Sequence, residues 1–195
     1  MGRTKQFDEQ RVLEQAMHLF WEHGYERTTY ALLEQETGIS ARSLINAFGD
    51  KHELFLRALD CYHHRQQSAF QACLHGAGIN GIKRFFAGFA GVGVDDPRRF
   101  GCLMVNTITS PSAQLAGIDE KALAFRSMFL QSFREALARD GVPDAAHKAQ
   151  FLVSLLWGLG VELKLGGANT RVQGLVGCAR RTLESWRPSA RGGNG

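Results

Sequence analysis

Apolar residues recur at intervals of three and four along nearly the whole chain, the spacing that gathers them on one side of an α-helix. Val12, Leu13, Ala16, Met17, Leu19 and Phe20 form one such row, and Leu123, Met128, Phe129, Phe133 and Leu137 form another. The most apolar row is Phe151, Leu152, Leu155, Leu156, Leu159 and Leu163. Strand-like alternation bounded by turn residues is missing, so the spacing predicts an all-α fold of about nine helices.

Caps and breakers divide this helical pattern. Asp8 is placed to cap a first helix that stops at Gly24. A short second helix begins near Thr28 and Thr29 and carries Leu32 and Leu33. Thr37, Gly38 and Ile39 make a tight turn, and Ser40 caps a third helix over 41–47. Asp50 caps a long fourth helix with Leu54, Phe55, Ala58, Leu59 and Tyr62. Two short helices linked by a glycine-containing turn make a helix-turn-helix inside a three-helix unit. Residues 1–55 are therefore read as an N-terminal module with its motif at about 28–48. Residues 56–187 form a larger helical body, and 188–195 a disordered tail. Further helices are predicted at 79–89, 100–109, from an Asp119 cap, at 144–165 and at 169–186.

The last two helices are long and apolar and joined by a short loop around Gly166 and Gly167. Such a pair can bury its outer face against a second copy as a four-helix interface. Leu152, Leu155, Leu156 and Leu159 on one helix, with Leu175, Val176, Ala179 and Leu183 on the other, are the candidate homodimer residues.

Composition excludes several classes. The apolar share of 44% is that of a globular chain. No apolar run approaches the roughly 18 residues of a membrane span. Residues 1–8 (MGRTKQFD) turn polar and acidic where a signal peptide needs an apolar run, so a cytoplasmic protein is expected. Cys61, Cys73, Cys102 and Cys178 lack paired spacing, and the seven histidines share no ligand spacing, so neither a metal site nor a cofactor is predicted. No nucleotide fingerprint or nucleophile elbow is present, and no carboxylate or nucleophile-base constellation supports an enzyme.

The net charge of +4 is unevenly spread. Residues 1–60 hold 7 Lys+Arg against 10 Asp+Glu, a sum of −3, which leaves +7 for the remainder. Bulk charge therefore does not mark the N-terminal module as a nucleic-acid binder; only the placement of particular basic residues can.

Two segments carry a family resemblance. Residues 11–29 (RVLEQAMHLFWEHGYERTT) and 38–55 (GISARSLINAFGDKHELF) resemble the opening, recognition helix and connecting helix of TetR-family transcriptional regulators. The shared features are a Phe-x-x-x-Gly-Tyr hinge, two threonines, Gly-Ile-Ser, and a Lys followed two positions later by Glu-Leu. The resemblance implies a one-component regulator, most simply a repressor, that leaves its operator when a small molecule binds the body. One position departs from the pattern. Where this chain has Ile45 the family usually has a tyrosine that touches a DNA phosphate; that contact is missing here, and Asn46 is a partial replacement.

With this resemblance, the exposed edge of the third helix, Ala41, Arg42, Ser43 and Asn46, is expected in a major groove. Arg pairs bidentately with guanine and Asn with adenine. Thr28 and Thr29 at a helix start, and Lys51 at the next, suit phosphates. Arg3 and Lys5 form a basic arm for the minor groove or a phosphate. The effector pocket is expected among Phe86, Phe89, Phe125, Phe129 and Trp157, with Asn106, Thr107 and Glu162 as polar anchors. Plain core packing accounts equally well for any one of these aromatics. Cys102 follows Arg98 and Arg99 at a predicted helix start, where a thiol is activated. Its Gly-Cys-Leu-x-Val setting resembles family members that sense electrophiles or oxidants, which makes such sensing the alternative to a reversible ligand. A DNA-binding protein of architectural role, without effector or sequence preference, is a second rival.

Overall fold

The computed structural model describes residues 7–166 and 169–188, with the Asn169 side chain left out. Among them are nine α-helices and no strand: α1 (Glu9–Arg27), α2 (Tyr30–Thr37), α3 (Ala41–Phe48), α4 (Lys51–Leu74), α5 (Gly78–Ala87), α6 (Leu103–Ile108), α7 (Ile118–Arg139), α8 (Ala145–Lys164) and α9 (Asn169–Ser185). Short 3₁₀ turns at Pro97–Phe100 and Pro111–Gln114 flank α6. Arg3 and Lys5, and the tail beyond Pro188, lie outside the described residues.

The helix starts follow local chemistry. The Asp8 carboxylate accepts the Arg11 N–H at 3.1 Å, the Thr29 hydroxyl accepts the Leu32 N–H at 3.2 Å, and the Ser40 hydroxyl accepts the Ser43 N–H at 3.3 Å. At α4 the caps are reciprocal: Glu53 N–H donates to Asp50 at 2.9 Å and Asp50 N–H to Glu53 at 3.0 Å. Several boundaries differ from the sequence reading: α5 ends at Ala87, and α6 starts only at Leu103, after a 3₁₀ turn. Gly24, at φ +78°, kinks α1 without ending it, and the helix resumes to Arg27. Asp119 lies inside the first turn of α7, which starts at Ile118.

The chain forms two compact units, Met1–Arg65 with Leu103–Ala122, and Gln66–Cys102 with Leu123–Gly195. The division runs through α4 and α7. In the first unit Phe20, Phe55 and Tyr25 pack as an aromatic triangle with centroids 4.8–6.3 Å apart, beside Trp21 on Tyr62 at 5.0 Å. Leu33, Leu44 and Phe48 are buried with them, and so they fix α2 and α3. In the second unit Phe70, Phe85, Phe86, Phe125, Phe129 and Phe133 form a cluster whose closest rings are 4.4 Å apart. Offset and edge-on rings of this kind add roughly 0.5–1.5 kcal/mol per pair beyond area burial.

Candidate nucleic-acid interface and effector region

The third helix is anchored on one side and bare on the other. Leu44 and Phe48, one turn apart, are buried, while Arg42, Ile45 and Asn46 are exposed and Ala41 and Ser43 half-buried. Arg42 and Asn46 have no side-chain hydrogen bond or ion pair among the described residues. Their donors and acceptors are thus available to base edges. The Ser43 hydroxyl is already 2.9 Å from that of Ser40. The helix start carries a second cap that the sequence reading missed: the Glu34 carboxylate accepts the Ala41 N–H.

The two threonines separate. Thr29 is exposed and caps α2, so its hydroxyl and the first free N–H groups of that helix face the same way. Thr28 is 0% exposed. Its hydroxyl donates to Gly24 O at 2.8 Å and its N–H to the same carbonyl at 3.2 Å. The expectation of a phosphate contact is corrected for Thr28. After the kink at Gly24 the Thr28 side chain turns into the unit, where its hydroxyl also lies 3.4 Å from Leu19 O.

Lys51 is half-buried; its Nζ donates to Tyr25 O at 2.9 Å and lies 4.2 Å from the centre of the Tyr25 ring. An ammonium has three protons, so two remain for a phosphate. Burial and the nearby Asp50 raise the Tyr25 and Tyr30 phenols above their ordinary range, and the Tyr30 oxygen receives the Lys51 N–H. The sequence reading missed Tyr25 and Tyr30 as the support of Lys51. The tyrosine of the Gly-Tyr hinge was the available signal.

The effector candidates fall in both units. Asn106 and Thr107 belong to the first unit; Thr107 is buried and its hydroxyl donates to Leu103 O at 2.8 Å, which removes it as a free anchor. The others belong to the second. Phe86, Phe125 and Phe129 are buried in the phenylalanine cluster, and Phe89 is half-buried, 5.4 Å from Phe85. Glu162 is bonded to Arg171 of α9 at 3.1 Å, so its carboxylate ties two helices together. Trp157 is different: its indole Nε1 is buried and has no hydrogen-bond partner among the described residues.

Cys102 is half-buried and precedes α6, its Cβ 3.3 Å from where a Cβ on Gly160 would stand. Both arginines expected to activate it have other partners. Arg98 binds Asp96 at 2.5 Å and Gly88 O at 2.9 Å, and holds the Asp96 carboxyl below its usual range, while Arg99 stacks on Phe100 at 4.3 Å. This arrangement does not favour electrophile sensing.

Of the dimer candidates, Leu152, Leu156, Leu159, Ala179 and Leu183 are buried within the single chain, which corrects their assignment. They are the inward stripes of α8 and α9. Leu155, Leu175 and Val176 are half-exposed. The outward face of α8 carries Phe151, Ser154, Gly158 and Val161, with Leu165 just past its end, all exposed. A Cβ at Gly158 or at Gly174 of α9 would meet nothing within 4 Å beyond its own stretch of helix.

Among the described residues no helix is long and apolar enough to cross a membrane, and no group of three His, Cys, Asp or Glu side chains is placed to hold a metal.

Comparison with known proteins agrees with this geometry. Residues 12–58 match the family model described as bacterial regulatory proteins, tetR family. The chain is 31% identical over 195 residues to the HTH-type transcriptional repressor ComR of Escherichia coli K12, covering 95% of this chain and 91% of that protein. The solved structure of a cysteine mutant of the TetR-family transcriptional regulator CifR, complexed with 26-base-pair operator DNA, superposes with a TM-score of 0.81 at 28% identity. That match covers 92% of this chain and 98% of the other. A TetR-family regulator from Streptomyces coelicolor shares the fold at TM-score 0.79 and 20% identity, over 95% of this chain and 97% of its own. With its opening helices in the family model and a repressor related along nearly the full length, the chain belongs to the TetR family of bacterial transcriptional regulators.

Proposed function

We propose that the protein is a cytoplasmic homodimeric repressor, without enzymatic activity, that holds a near-palindromic operator through α3 and releases it when a small molecule binds the helical body. The observation that carries the DNA reading is the bare edge of α3: among the described residues Arg42 and Asn46 lack hydrogen-bond and ion-pair partners, while Leu44 and Phe48 anchor the helix. Thr29, the start of α2 and Lys51 supply phosphate contacts that set the register, and Arg3 and Lys5 add a basic arm. Domain roles follow the chain: 1–55 binds DNA, and 56–187 binds effector and partner. The dimer forms through the outward faces of α8 and α9, with Leu155, Leu175 and Val176 at its edge.

The effector reading rests on Trp157. A buried donor without an acceptor costs roughly 1–3 kcal/mol. An effector oxygen accepting the Trp157 N–H removes that cost, and the phenylalanines of α5 and α7 are the proposed apolar walls. Release follows by linkage. DNA selects conformers whose two α3 helices fit successive major grooves, roughly 34–36 Å apart. An effector that prefers another spacing lowers operator affinity by the ratio of its affinities for the two.

The test is selection from a random duplex pool at two salt concentrations, with an Arg42→Ala, Asn46→Ala double variant as control. A near-palindrome recovered by the wild type and lost by the variant supports the reading. A pool that stays random, with binding that falls steeply in salt, replaces it with architectural binding.

A further inference from the structure

Ile45 is 44% exposed, and among the described residues of the first unit it is the one exposed large apolar side chain. Its helix gives it no cover. The neighbours one turn away on the same row are Ala41 and Gly49, the smallest side chains available. At about 100° per residue, Ile45 stands roughly 60° from Arg42 and 100° from Asn46 around the helix axis. It is therefore beside the base-reading edge, where a helix lying in a major groove meets the groove wall. An isoleucine has no donor or acceptor, so neither a phosphate nor a base edge can be hydrogen-bonded there. The one apolar group that the major groove offers is the thymine C5-methyl, and it projects close to its own strand's backbone, on that wall.

We propose that Ile45 reads a thymine methyl group in each half-site, by van der Waals contact, next to the bases bonded by Arg42 and Asn46. This rests on the reading of α3 as the groove helix. It makes Ile45 a specificity residue, so the operator carries a thymine at one fixed position of each half-site.

The experiment uses the full-length protein and the duplex recovered by selection. Each thymine is replaced by deoxyuridine, one symmetric pair at a time, which deletes the methyl and leaves base pairing intact. Binding is followed by fluorescence anisotropy for wild type and for Ile45→Ala, with far-UV circular dichroism checking that the variant keeps its helix content. One thymine pair is expected to weaken wild-type binding about fourfold per half-site, about 15-fold for the pair, the worth of one buried methyl in each. Ile45→Ala is expected to bind the thymine and uracil duplexes alike. A selected operator bound tightly but with no methyl-sensitive position overturns this proposal alone. Equal sensitivity in the wild type and Ile45→Ala also overturns it, since another residue then makes the contact. Failure to select any sequence refutes the groove role of α3 and this proposal with it.

Discussion

Replacing Gly158 by arginine separates the dimer from the fold. Gly158 lies in the interior of α8 with open space where its Cβ would be, so the single chain accommodates a side chain there. Glycine is about 1 kcal/mol worse than alanine in a helix interior, and arginine nearly equals alanine, so α8 itself gains up to roughly that amount in each protomer. If the outward face is the dimer interface, the same substitution buries two unpaired guanidinium groups, each at a cost of several kcal/mol. The dimer dissociation constant then rises by at least about three orders of magnitude, since 1.4 kcal/mol is a factor of ten. Operator affinity falls about 10²–10⁴-fold as two linked half-site contacts become separate events. Sedimentation velocity reads the oligomeric state, far-UV circular dichroism the helix content, and anisotropy titration the operator affinity. The expected result is a helical monomer with weak DNA binding. A dimer of unchanged strength and operator affinity would refute the assignment of this face. Loss of helix content in a sample that is still monomeric would refute the open space at Gly158.

Phe133→Ala removes a ring packed against Phe70, Phe85, Phe86 and Phe129, and is expected to lower stability by about 3–5 kcal/mol in urea unfolding. Lys51→Met is expected to weaken all duplexes alike and to reduce the slope of log affinity against log salt by about 1 per protomer, with base preference unchanged; a changed preference would place Lys51 at a base. Stability is expected to fall on acidification below pH 6.5, because His18, lowered by burial and by Arg65, and His63, lowered by burial and by His64, both titrate beneath their ordinary value of 6.5. In that window the unfolded chain holds more protons than the native one, so the contribution is complete above 6.5 and is lost as pH falls through the native values. Urea midpoints at pH 7.5 and 5.5 check this, and a His18→Asn, His63→Asn variant should lose part of the difference.

The features that were legible in the sequence are those decided within one helical turn. Asp8, Ser40 and Asp50 cap as expected because a short polar side chain needs only an N–H three residues on. The alternation of Leu44 and Phe48 with Arg42 and Asn46 is likewise a matter of helical period. What needed the folded chain was direction. Thr28 and Thr29 are equivalent caps on paper, yet a kink one turn earlier draws Thr28 inward. The leucines of α8 and α9 form strong apolar rows, but periodicity does not say whether a row meets its own chain or a second one. Here the strongest rows meet their own, and the outward face is a weaker pattern of small and isolated apolar residues. For Cys102, the two arginines that precede it in sequence have partners of their own, Asp96 and Gly88 O for Arg98 and the Phe100 ring for Arg99, which spacing alone does not reveal.

Glu34 gives the α3 start a property that reaches beyond the operator. A helix start usually welcomes any phosphate, but here the Ala41 N–H is taken by a carboxylate of the same chain. Residues 1–60 sum to −3, so the surroundings repel as well. A duplex in the wrong register therefore meets negative charge without the base contacts that offset it. A bacterial chromosome offers millions of such wrong registers, and they act as a sponge for most regulators. If wrong registers hold the protein weakly, more of its molecules are free to find the operator, and fewer copies per cell keep the promoter occupied.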